Sequence, residues 1–150
     1  MQLKVPPPAV FLAAVLIMYA GVRLVPSLTL AFPGQASIAV ILALAGCLLG
    51  GLAVGAFWKD KTTIDPRAPE AATSLVTSGV FRLSRNPMYL GLLSLLLALG
   101  MYWGTLSALV VVPVFVWYLT EFQIKPEEDR LKKVFGPSYS EYLEQVRRWI

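Results

Sequence analysis

Between Lys4 and Lys59 the chain carries one charged residue, Arg23. A stretch so long and so poor in charge has no side to turn toward water. In lipid its backbone groups must be satisfied within the segment, which points to membrane-spanning helices. Composition agrees: 57% of residues are hydrophobic and 15% charged, against about 25% charged in soluble domains. At 150 residues the expectation is one membrane-embedded domain over 1–150, with no internal repeat.

Crossing a hydrocarbon core takes roughly 20 apolar residues, and four segments are candidates. The first runs from about Ala9 to Leu24, after Pro6, Pro7 and Pro8. The second, Ala36 to Trp58, carries Gly46, Gly50, Gly51 and Gly55 in two GxxxG spacings that suit close helix packing. The third runs from Pro87 to Trp103. The fourth, Thr105 to Phe122, contains Pro113, where a kink is expected. Only Trp103 and Gly104 separate the last two, which predicts a tight antiparallel hairpin. Trp58, Tyr102, Trp103, Trp117 and Trp149 read as interfacial aromatics. The segment from Lys59 to Thr77 shows no helical period and reads as irregular surface chain.

With four spans, every Lys and Arg except Arg23 falls on one side, and the positive-inside rule makes both termini cytoplasmic. The net charge of +4 follows from that bias and suits anionic lipid headgroups rather than nucleic acid. There is no histidine, and the single cysteine, Cys47, sits in an apolar run. The commonest base and metal ligand is therefore missing, no intramolecular disulfide can form, and no metal is expected.

From Pro126 the chain turns polar but keeps apolar residues at Leu131, Val134, Phe135, Tyr139, Tyr142, Leu143, Val146 and Trp149. This is helical spacing in two amphipathic segments broken at Gly136-Pro137. Glu127, Glu128 and Asp129 suit a first turn, and Ser138 with Glu141 reads as a capping box. Both segments are expected on the cytoplasmic surface. The fold class is thus all-α integral membrane: about four transmembrane helices, spans three and four a tight hairpin, plus C-terminal amphipathic helices.

The stretch RLSRNPMYLG, residues 82–91, places Arg82, Arg85, Asn86 and Pro87 against the third span. One reading is local: Asn caps the helix, Pro fills its first turn and Arg anchors to headgroups. The other is chemical. A helix N-terminus with two arginines suits an anionic group such as a carboxylate, with Tyr89 just inside. Glu127 and Glu128 likewise are either a solvated first turn or acceptors for hydroxyl or ammonium groups. Glu121, at the end of a span, has to reach water or a partner.

Taken together, SGVFRLSRNPMYLG and, after a helical hairpin, PEEDRLKKVFGPSYSEYLEQVRRWI resemble the isoprenylcysteine carboxyl methyltransferase family of membrane methyltransferases, which includes phospholipid methyltransferases. The resemblance covers Ser78 to Ile150. It implies a helical membrane enzyme that binds S-adenosylmethionine at the cytoplasmic face. The family's arginine-histidine-proline-x-tyrosine motif falls on Arg85, Asn86, Pro87 and Tyr89, with Leu90 beside it. Its glutamate pair falls on Glu127 and Glu128, and later aromatics on Tyr139 and Tyr142. All nine are implied cofactor-binding residues, and the two glutamates are the implied catalytic ones. Asn86 departs from the family's histidine: it can donate a hydrogen bond but cannot shuttle a proton.

The implied acceptor is a lipid or prenylated molecule with its tail in the bilayer. Carboxyl O-methylation of a prenylated cysteine or similar amphiphile needs no base and leads. Phospholipid amine N-methylation, and a non-catalytic scaffold of the same fold, are the alternatives. A sterol-reductase-like reading would call for a longer chain and a dinucleotide site, and no GxGxxG is present.

Overall fold

The computed structural model describes residues 5–59 and 74–150, and every regular element in them is helical. Lys4 and most of the segment expected to be irregular surface chain lie outside the described residues. α1 spans Pro7–Leu24, α2 Gln35–Lys59, α3 Pro87–Trp103 and α4 Ala108–Leu119. A π-helical turn, Thr120–Ile124, leads into α5, Lys125–Phe135, and α6 spans Pro137–Gln145. α1 begins earlier than expected because Pro7 is tolerated in a first turn, where N–H groups have no helical partner anyway.

Among the described residues three helices are long and apolar enough to cross a membrane: Pro7–Leu24, Gln35–Lys59 and the continuous Ala108–Phe135. α3 is apolar but only 17 residues long, about 25 Å at 1.5 Å per residue. The 28-residue Ala108–Phe135 helix is about 42 Å long, more than a hydrocarbon core of about 30 Å requires. Its apolar part ends at Ile124, and the charge-rich α5 extends beyond it.

α3 is central, packing on α1, α2 and α4, while α2 packs mainly on α3. The buried residues of α2 are Ala39, Gly46 and Ala53, small side chains at heptad spacing, and its large ones, such as Ile41, Leu44 and Leu48, point outward. This inversion of the soluble pattern suits lipid, where close backbone approach rather than apolar burial joins helices. At the crossing, a Cβ on Gly46 would lie 2.8 Å from the Gly91 carbonyl oxygen, and one on Gly91 2.9 Å from that of Gly46. Cβ atoms on Gly50, Gly51 and Gly55 would meet nothing within 4 Å, but a Cβ on Gly91 would lie 3.2 Å from the Gly50 nitrogen, so it is the first GxxxG spacing, Gly46 and Gly50, that lies at the α3 crossing.

The hairpin turn is longer than expected, Gly104 to Ser107, because a second segment docks on it. Leu30 donates its N–H to the Gly104 carbonyl at 2.7 Å and Leu106 its N–H to that of Leu28 at 2.9 Å. Gly104 has φ 61°, and a Cβ there would fall 1.8 Å from the Leu30 carbonyl oxygen, so glycine is required.

Pro113 lies inside α4, and the change in hydrogen-bonding pattern comes later, at Thr120–Ile124. Pro126 has no N–H to give and its ring crowds the carbonyl four residues back, which a wider turn just before it relieves. That turn also sets the register that brings Glu127 to Tyr89 of α3. Within it Gln123 is buried and donates to the Val5 carbonyl at 2.6 Å, tying the start of α1 to α5. Glu121 pairs with Lys125 one turn on.

Two expectations for the tail require correction. α6 starts at Pro137 with Gly136 as its N-cap and no side-chain cap, so Ser138 and Glu141 form no capping box. The helix stops at Gln145, after which Val146 is extended. Trp149, which follows, packs against the core of Met18, Leu96 and Leu119 and donates its indole N–H to Thr120 Oγ1 at 3.2 Å.

Candidate active site

The site is built where α3 begins. Asn86 is the N-cap residue and Pro87 opens the helix, but Asn86 makes no side-chain cap bond. Its Nδ2 instead donates to the Arg148 carbonyl at 3.0 Å. Ser84 Oγ donates to that carbonyl at 3.3 Å and accepts the Asn86 N–H at 3.1 Å, while the Arg85 N–H reaches the Arg147 carbonyl at 3.0 Å. The segment after α6 is thus a strap laid along residues 84–86.

The strap brings a second arginine to Arg85 and the glutamate pair. Arg148 grips Glu128 with a fork, Nε to Oε1 at 3.0 Å and an Nη2 to Oε2 contact of 2.7 Å. Arg85 reaches Glu128 Oε1 at 3.3 Å, and both side chains of that pair are about nine-tenths buried. Arg148 was not singled out in the sequence. Its only signal there was a basic pair on an amphipathic period, which reads as solvated surface.

Glu127 has a different environment. Tyr89 donates its hydroxyl hydrogen bond to Glu127 Oε2 at 3.1 Å. Burial is the largest influence on the Glu127 carboxyl and pushes it up, the Tyr89 hydrogen bond pulls it down, and the Glu128 charge pushes it up again. The outcome is a carboxyl raised to about 7, close to the value a proton acceptor needs at neutral pH.

Tyr139 and Tyr142, both buried on α6, sit 6.2 Å apart between ring centroids. Burial raises both phenols, with Arg85 acting in the opposite sense. The Tyr142 hydroxyl donates to the Phe81 carbonyl at 2.6 Å, fixing α6 to the turn before α3.

A cavity of about 430 Å³ opens at this point, within the roughly 300–1,000 Å³ typical of small-ligand sites. Its polar end carries Arg85, Asn86, Tyr89 and Glu127, and Pro7 and Pro8 of α1 form part of its wall. Its apolar end runs between α2 and α3, past Gly46, Cys47, Gly50 and Leu95. Of the nine residues singled out from the sequence, Arg85, Asn86, Pro87, Tyr89 and Glu127 line it. Glu128, Tyr139 and Tyr142 stand behind Arg85, and Leu90 is held by its N–H on the Asn86 carbonyl without lining the cavity. Among the described residues no cluster of His, Cys, Asp or Glu could hold a metal ion.

An uncharacterized protein of Haemophilus influenzae is 41% identical over 63 residues, which are 42% of this chain and the whole of that protein. No solved structure matches the chain. Residues 35–138, from α2 into α6, match the phospholipid methyltransferase family, and the chain belongs to that family, within the isoprenylcysteine carboxyl methyltransferase-like group of membrane methyltransferases.

Proposed function

We propose that this protein is an S-adenosylmethionine-dependent methyltransferase whose acceptor is the amine headgroup of a membrane lipid. The observation that carries the reading is the place of Glu127, hydrogen-bonded to Tyr89 and lining an amphipathic cavity, where burial raises its carboxyl. The donor set suits the cofactor. Arg85, with donors to spare, would hold a carboxylate, Asn86 offers an amide, and the Tyr89 ring face tolerates positive charge. S-adenosylmethionine, when bound, supplies an electrophilic methyl group on a sulfonium that leaves as a neutral thioether. The chain's own part is positioning and one proton: a lipid amine arrives as an ammonium, and Glu127 takes the proton that must leave before the nitrogen can attack.

Carboxyl O-methylation of a prenylated cysteine is the second reading, favoured by a chain without histidine, since a carboxylate acceptor needs no base. Glu127 in the cavity weighs against it, because a carboxyl there repels an anionic acceptor once ionised. In either case the lipid tail would occupy the apolar end between α2 and α3. α3 is the short fourth span in this reading, which puts α5, α6 and both termini on the cytoplasmic side.

The test is calorimetric binding of S-adenosylmethionine to detergent-solubilised protein, followed by transfer of a labelled methyl group to phosphatidylethanolamine and to a prenylcysteine in separate vesicles. Label in the amine lipid supports the proposal, and label in prenylcysteine alone selects the second reading. Folded protein that binds no S-adenosylmethionine returns the chain to the non-catalytic scaffold reading.

A further inference from the structure

The ion cluster behind the cavity is lopsided. Glu128 gives both carboxylate oxygens to Arg148, at 3.0 and 2.7 Å, and Arg85 reaches only one of them, at 3.3 Å. A guanidinium carries five donors, yet this is the one polar contact of the Arg85 side chain among the described residues. Its buried Nε has no partner. A cation so enclosed and so thinly bonded is costly unless an anion completes its shell. Glu128 is the nearest candidate anion, and what keeps it from turning fully onto Arg85 is Arg148. The main chain fixes Arg148 for this task, since Asn86 and Ser84 both hold its carbonyl.

We infer that Arg148 is a positioning residue of the site: by gripping Glu128 with its fork it prevents that carboxylate from capturing Arg85, and it leaves the Arg85 guanidinium available to the carboxylate end of the methyl donor. This rests on the reading of the cavity as a methyl-donor site. It assigns the two glutamates separate tasks, Glu127 in the cavity and Glu128 as a counter-charge whose partner decides what Arg85 can bind.

The test is calorimetry of S-adenosylmethionine on the whole protein in detergent, for wild type, Arg148→Ala, Glu128→Gln and the double variant. Arg148→Ala weakens binding by about 10- to 100-fold, the worth of a charged hydrogen bond, because Glu128 now closes on Arg85. Adding Glu128→Gln removes the competitor and restores affinity to within about threefold of wild type, a coupling that only interacting groups show. Decarboxylated S-adenosylmethionine, which lacks the group Arg85 would hold, binds wild type and Arg148→Ala alike. Arg148→Lys keeps the charge without the fork and gives a smaller loss that Glu128→Gln again reverses. Unchanged affinity in Arg148→Ala, or a loss that Glu128→Gln does not reverse, overturns the inference and leaves Arg148 as a fastener of the strap. Wild type that is folded and binds no S-adenosylmethionine overturns the methyl-donor reading itself, and this inference with it.

Discussion

Tyr89 and Glu127 meet at the polar end of the cavity, the phenol donating to Oε2 of the carboxyl at 3.1 Å. The pair joins the first turn of α3 to the first turn of α5. It also couples a helix apolar along its length to the charge-rich helix that carries the proposed base.

The Glu127 carboxyl, raised to about 7 from an ordinary value of about 4.3, gives the proposed amine methylation a pH signature. The ionised form takes the proton, so methyl transfer to an amine climbs as pH passes through about 7. Stability runs the opposite way. Between the two values the folded protein binds a proton that the unfolded chain does not, so this contribution is fully present below the unfolded value and is lost as pH rises through the folded one. Thermal unfolding in detergent at pH 5 and pH 8 checks the sign. Glu127→Gln flattens the difference, and an undiminished difference in that variant removes Glu127 as its source.

Tyr89→Phe keeps the ring and deletes the hydroxyl. The influence that holds Glu127 down is then gone, while burial and Glu128 still push up. The rising limb of activity against pH therefore moves to higher pH, and above that limb the fold loses about 1.5 to 3 kcal/mol, the worth of one hydrogen bond to a charged group. A limb that stays in place separates Tyr89 from the base.

The glycines of α2 give a paired steric test. Gly46→Ala drives a methyl into the Gly91 carbonyl, 2.8 Å from the new Cβ, and overpacking at a backbone contact costs about 1 to 3 kcal/mol. Gly51→Ala meets nothing within 4 Å and improves helix propensity by up to about 1 kcal/mol. Midpoints of thermal unfolding that fall for Gly46→Ala and hold or rise for Gly51→Ala are the expected pattern. Equal losses at both positions mean that α2 uses its second glycine pair against a partner as well.

The same helix marks what sequence alone leaves open. Its apolar residues run all the way round, so hydrophobicity could place the helix but not the face that meets α3. Only residue size, in Ala39, Gly46 and Ala53, carries that information. The start of α3 at Pro87 and the nearness of Glu127 to it were legible, because a helix-opening proline is a local signal and the family motif spans both. The strap was not. Val146 and Trp149 continue the helical period of α6, yet the helix stops at Gln145 because the Arg147 and Arg148 carbonyls bond to Arg85, Asn86 and Ser84. Tertiary hydrogen bonds far apart in sequence outweigh a local period, and Arg148, the residue that organises the charges, was hidden for that reason.

Asn86 offers a last test of that strap. Its Nδ2 stands two bonds from Cβ, as does Nδ1 of a histidine, so the histidine common in the resembling family can make the same donation to the Arg148 carbonyl. Asn86→His therefore preserves the strap and thermal stability at neutral pH. Asn86→Asp has the same shape but turns a carboxylate toward a carbonyl oxygen 3.0 Å away, losing a donor and adding repulsion. It costs about 1 to 3 kcal/mol and also presents Arg85 with a second competing anion, so binding of S-adenosylmethionine falls further than stability does. A histidine variant that loses as much stability as the aspartate one means that an imidazole does not replace the amide's donation, and an aspartate variant as stable as wild type means that the strap is held by Ser84 and the backbone alone.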